Sequence, residues 1–191
     1  YRRSHTAFAG ALGSGVVMGG FWGLGAVYAL SVTNDPSFVP TFIAANIIGG
    51  ALAQYPIGMA SDRIDRRYVL AALCAASGAS AFGLLLANTL EALLWGAFAF
   101  GAFANSLYAV SLAKAADNSK SEEFVTIASS VLLLNALGSA SSALVIGWAM
   151  RSMGDSALFG FVGMASLITG IFIILQPPGR TAVSIEEQGS F

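Results

Sequence analysis

Apolar residues run in six stretches of about 20, each long enough to cross about 30 Å of hydrocarbon at 1.5 Å per residue. They are Phe8 to Leu30, Ser37 to Ala60, Tyr68 to Ala87, Glu91 to Ala113, Phe124 to Trp148 and Ser156 to Leu175. Each predicts a membrane-spanning helix, and together they take up most of the chain, so any chemistry must sit within or between helices. The first stretch is Gly-rich, too long for the apolar region of a cleavable signal, and part of a repeating pattern of spans. This predicts an all-α membrane protein in three parts: a cytoplasmic linker segment over 1–7, a six-helix transmembrane domain over 8–176 and a disordered tail over 177–191.

The polar breaks are helix punctuation. Asn34-Asp35-Pro36 can start the second span, because an Asp side chain accepts orphan N–H groups and Pro loses nothing at a first helical position. Asn88 with Glu91, and Ser119 with Glu122, have the capping-box spacing for the fourth and fifth spans, and Asp155 can cap the sixth. Pro177-Pro178-Gly179 ends the last helix.

Composition agrees with a lipid solvent. Of 191 residues only 10 % are charged and 56 % are hydrophobic, with a mean hydropathy of +0.74, where a water-soluble domain carries about 25 % charge. The 22 glycines suit close-packed membrane helices. Nine Lys plus Arg against ten Asp plus Glu leave no basic field for nucleic acid. One His and one Cys provide no metal cluster, no His-based catalytic pair and no intramolecular disulfide. An intramembrane serine hydrolase is disfavoured for the same reason, since the only His is His5. No catalytic residue, metal ligand or cofactor is expected.

Charge placement orients the spans. With both termini on one side, that side holds Arg2, Arg3, Arg63, Arg66, Arg67, Lys114, Lys120 and Arg180, and the other holds only Arg151. The positive-inside rule then puts both termini in the cytoplasm.

The loop after the second span reads Gly58-Met59-Ala60-Ser61-Asp62-Arg63-Ile64-Asp65-Arg66-Arg67. It resembles the signature of the major facilitator superfamily of secondary transporters: Gly, a small pair, Asp-Arg, a spacer, Gly, then two basic residues. Asp65 stands where that family has Gly, and Ala60 where it often has Leu. The resemblance implies one six-helix half of a two-half transporter, built of three plus three inverted helices, in a bacterial inner (plasma) membrane. The chain begins with Tyr1, and Arg2 and Arg3 before a first span, with a polar tail after the sixth, resemble the second, C-terminal half. The implied partners are a small-molecule solute, the lipid bilayer and either the missing N-terminal half or a second copy. Gly58, Asp62, Arg63, Asp65, Arg66 and Arg67 would form a cytoplasmic latch, with Asp62 capping a helix or pairing with the arginines. The plainer alternatives are topology charges for the arginines and a non-transporting scaffold for the whole.

No ionisable residue lies in the middle of any span, so no proton relay is evident. Three amides do: Asn46, Asn105 and Asn135 fall within about 5 Å of their helix midpoints. The resemblance implies that spans one and four line the cavity, where Trp22, Phe98, Asn105 and Tyr108, with Asn46 nearby, would make an aromatic-and-amide wall for a neutral or amphipathic solute. For Asn46 and Asn135 the simpler role is to join helices. Gly15, Gly19 and Gly23 predict a close helix contact, and Gly49, Gly50 and Pro56 a bend in span two. Tyr28, Tyr68 and Trp148 read as interface anchors. No residue-level repeat between spans one to three and four to six stands out.

Overall fold

The computed structural model describes residues 5–117 and 124–176. Six helices fill them: α1 (His5–Thr33), α2 (Phe38–Arg63), α3 (Arg66–Leu85), α4 (Leu90–Asp117), α5 (Phe124–Met153) and α6 (Ala157–Leu175). All six are long and apolar enough to cross a membrane, and no strand occurs among the described residues. The protein is an all-α membrane bundle. The tail over 177–191, the Ser119–Glu122 capping box and the basic residues Arg2, Arg3, Lys120 and Arg180 lie outside the described residues, and α1 begins at His5, inside the expected linker.

The helix ends differ in detail from the sequence reading. Asn34, at φ 53°, closes α1 in the left-handed region, a conformation Asn tolerates at helix ends. Asp35 accepts the Ser37 amide at 2.9 Å and its hydroxyl at 2.7 Å. These bonds hold the Asp35 carboxyl below the usual carboxylate range, and Pro36 lies in the turn before α2 rather than at its first position. Thr89, not Asn88, caps α4: its hydroxyl accepts the Ala92 amide at 3.1 Å, while the Asn88 amide group turns back to the Leu86 carbonyl. Ser156 stands at the α6 N-cap without a side-chain cap bond, and Asp155 contributes its main-chain carbonyl to Leu158 N–H.

α1 and α4 form the centre. α1 packs mainly along α5 and α4 mainly along α2, while α3 joins α4 to α6 and α6 lies on α1. Exchanging the first three helices with the last three reproduces this pattern, as an inverted repeat requires. The repeat reaches individual residues. Asn46 of α2 donates to the Ala97 carbonyl of α4 at 3.5 Å, and Asn135 of α5 donates to the Ala11 carbonyl of α1 at 3.3 Å. A Cβ at Gly101, one turn past Ala97, would overlap the Asn46 main chain; at Gly15, one turn past Ala11, it would overlap that of Asn135. Gly49 abuts the Phe98 carbonyl just as Gly138 abuts the Leu12 carbonyl. The pattern Asn-x-x-Gly against Ala-x-x-x-Gly thus occurs twice, once in each triplet. It escapes a sequence scan because it is spread over two helices in each case.

Gly49 and Gly50 serve this close approach, and α2 runs unbroken through Pro56. Phe21, Phe42, Phe100 and Phe159 are fully buried, with Phe21 to Phe100 centroids 5.6 Å apart. Tyr28 belongs to this core rather than to the membrane interface. It is 4 % exposed, meets Phe159 edge-on at 4.7 Å and donates to the Leu84 carbonyl at 3.3 Å. Tyr68 and Trp148 are exposed.

Candidate functional site

Two places carry polar chemistry: the charged end at the α2–α3 loop, and mid-depth between helices. At the charged end, Asp65 is the α3 N-cap and accepts the Arg67 amide at 2.9 Å. It also takes the Lys114 ammonium from α4 at 2.9 Å. Burial alone would raise the Asp65 carboxyl, but the Arg67 amide, the Lys114 bond and charge, and the Arg67 charge together hold it below the usual range. Of the two roles expected for Asp62, it takes the second: it lies in the last turn of α2, caps no helix and pairs with Arg66 at 3.0 Å, its side chain 70 % exposed. Arg66 reaches on to Asp117 of α4 at 3.3 Å. Lys114 and Asp117 lie three residues apart at the end of α4 and so share one face of it, but that spacing does not assign them Asp65 and Arg66 as partners.

Arg67 points into the bundle. It is 9 % exposed, donates Nε–H to the Ile173 carbonyl at 3.1 Å and Nη2–H to the Ile174 carbonyl. These are last-turn carbonyls of α6, which lack partners within the helix. Arg67 therefore fastens α3 to α6. Arg63 is exposed. Gly58 has open space where a side chain would be, and it lines a cleft of about 340 Å³ with Gln54, Ser61, Asp62, Ser106 and Val110.

At mid-depth, Asn105 donates to the Asn46 carbonyl and to its Oδ1, both at 3.4 Å. Asn46 is fully buried, whereas Asn105 and Tyr108 are half-buried. On α1, Gly15, Gly19 and Gly23 face α5, Gly13 faces Thr169 of α6, and Gly10 faces Ser111 of α4. At about 100° per residue, Trp22 falls in the remaining sector, between α5 and α4. It is 53 % exposed. Tyr108 holds the corresponding place on α4. Phe98 lies about 80° around the helix from Tyr108, its ring edge-on to exposed Trp95 at 5.9 Å. A larger cleft, about 550 Å³, lies between α1, α5 and α6 and is lined by Phe8, Leu12, Val16, Leu134, Ile168 and Phe172 among others. Neither cleft includes Trp22, Asn46, Phe98, Asn105 or Tyr108.

Six membrane-length helices in two interleaved triplets, with a charged loop after the second, define a class: the six-helix unit of a transporter-type membrane protein. The family described as the Major Facilitator Superfamily matches residues 7–190, and the chain belongs to it. It is similar to a protein of Salmonella arizonae described as the uncharacterized MFS-type transporter YcaD, with 24 % identity over 180 residues, covering 94 % of this chain and 46 % of that protein. The protein of the same description from Escherichia coli (strain HS) is also 24 % identical over 180 residues, with the same coverage. The chain spans about half the length of the curated relatives it matches. Membership points to a transporter rather than an enzyme.

Proposed function

We propose that this chain is one six-helix half of a secondary active transporter that moves a small organic solute by alternating access across a bacterial inner membrane, with both termini cytoplasmic. Its partner is a further six-helix unit, either in the same polypeptide or from a second copy, and the length of the native polypeptide in the membrane distinguishes the two. The observation that carries the reading is an open polar front. Trp22, Asn105 and Tyr108 lie on the central helices α1 and α4 and are left half-covered or exposed by the chain itself. A solute bound there needs a second wall, and rocking of two units about it exposes the solute to one side at a time.

The α2–α3 loop is the cytoplasmic latch of this machine. Arg66 to Asp117 and Asp65 to Lys114 tie it to α4 and Arg67 ties it to α6, while Asp62 and Arg63 remain exposed beside the open cleft over Gly58. A helix of the partner unit seated in that cleft would meet Asp62. In the full-length protein, Asp62→Asn should shift the balance between inward-open and outward-open forms, read by thiol labelling from each side, with insertion unchanged. Identical labelling from both sides in variant and parent would count against the latch.

A further inference from the structure

The larger cleft has the depth of one membrane leaflet. α5 and α6 are joined at one end by the short turn between Met153 and Ala157, and toward the other end they leave the cleft of about 550 Å³ between them, with α1 as its floor. Along α1 it runs from Phe8 to Val16, and along α6 from Phe172 back to Ala165. At 1.5 Å per residue these are about 12 Å and about 10 Å, most of the roughly 15 Å of hydrocarbon in one leaflet. The cleft begins beside the helix ends where the Thr6 hydroxyl meets Gln176 and stops near mid-depth. Its walls suit hydrocarbon. Phe8, Leu12, Leu134, Ile168 and Phe172 are apolar, and the hydroxyl of Thr169, the one polar side chain lining it, already donates to the Ala165 carbonyl at 2.8 Å.

The inverted repeat shows that this open surface belongs to one triplet. The register that pairs Ala11 with Ala97 and Gly15 with Gly101 also pairs Ala9 with Trp95 and Leu12 with Phe98. On α4 those two rings lie edge-on at 5.9 Å and cover the helix with the chain's own side chains. On α1 the floor has only the methyl group of Ala9, and Gly13 cannot be enlarged because a Cβ there would overlap Thr169. The surface is left to an occupant from outside the chain.

Charge selects that occupant. Arg3 and Arg2 stand five and six positions before Phe8, and Arg180 stands eight after Phe172. The acids nearest the cleft along these flanking segments are further away, Glu123 at 11 positions from Leu134 and Glu186 at 14 from Phe172. A basic surplus beside the polar end of an apolar groove matches an anionic headgroup joined to an acyl chain. We infer that the α1–α5–α6 cleft holds one acyl chain of an anionic phospholipid, its headgroup drawn by the charges of Arg2, Arg3 and Arg180. The chain lies over Ala9 and Gly13, between Leu134 of α5 and Phe172 of α6. The orientation of the termini decides which leaflet supplies it, and the transport reading is not needed for it.

The test reconstitutes the full-length protein in phosphatidylcholine vesicles that carry, in both leaflets, a phosphatidylglycerol with a photoactivatable diazirine in its acyl chain. After illumination, mass spectrometry should find more label on Leu12, Ile168 and Phe172 than on Phe161 and Met164, which are comparably exposed but nearer the other end of α6. The same diazirine chain on phosphatidylcholine should label the cleft at least about fivefold less, and Arg2→Gln with Arg3→Gln should narrow that difference. Ala9→Phe, which places a ring on the floor as Trp95 does on α4, should remove the label from the cleft and leave it on Phe161. Label spread evenly along α6, equal labelling by the two headgroups, or cleft label undiminished in Ala9→Phe would each overturn the inference. No transport is measured, so failure here leaves the transporter reading standing.

Discussion

Asp65 shows how much a single residue can hold that a motif conceals. The sequence marks it only as a departure, a carboxylate where the related signature has Gly. In the structure that carboxylate accepts the first-turn amide of Arg67 and binds Lys114 from a helix 49 positions away in the chain. Asn at the same place retains a good N-cap but loses the charge. Asp65→Asn should therefore cost no more than about 1 kcal/mol at neutral pH, as a partly exposed ion pair does. The pH dependence follows from the lowered carboxyl. A group whose folded pKa is depressed adds stability above its unfolded value, about 3.9, and loses it as pH falls toward the folded value. The difference in unfolding midpoint between parent and Asp65→Asn should shrink below about pH 4, and an equal difference at pH 7 and pH 3 would refute the assignment. Arg67 makes the complementary point. Its sequence neighbours suggest a loop cation, yet it is buried against the end of α6, because only the fold brings the Ile173 and Ile174 carbonyls to it.

At the scale of helices, length and depth were legible and faces were not. Six apolar runs predict six spans, since each must satisfy its own backbone hydrogen bonds in lipid. Which side of a span meets a neighbour is hidden, because lipid and protein neighbours both accept apolar side chains and the usual inside–outside contrast vanishes. Tyr28 is an example: an aromatic near a span end fits an interface belt or a core equally well. Glycines resolve the faces once the structure is known. Gly15→Ala and Gly101→Ala each put a methyl into another helix's main chain, so both should lower the thermal midpoint, by about 1–3 kcal/mol of stability as overpacked sites do. Gly83, with open space around it, should tolerate Ala or gain from it, since Gly is the weaker helix former. An unchanged midpoint for Gly101→Ala would show that the α2–α4 contact is looser than described.

For the whole molecule, the described basic residues separate by end: Arg63, Arg66, Arg67 and Lys114 at one, Arg151 at the other. Orientation is a property of this sum rather than of any one helix. An epitope tag at the Gln188 end should be reached by antibody only after the membrane is opened on the cytoplasmic side. Access from outside intact cells would invert the topology and move the proposed latch to the wrong face.

The sequence by itself determined the number of spans, the lipid environment and the charged loop with its family resemblance, because hydropathy, charge and a contiguous motif are local and additive along the chain. Only the tertiary structure decided that Asn46 and Asn135 are equivalent and that Arg67 faces inward. Each of these depends on contacts between residues far apart in the chain. In a bilayer, where hydrophobicity no longer separates inside from outside, such contacts are set by close backbone approach and by individual hydrogen bonds, and neither has a periodic signature in one dimension.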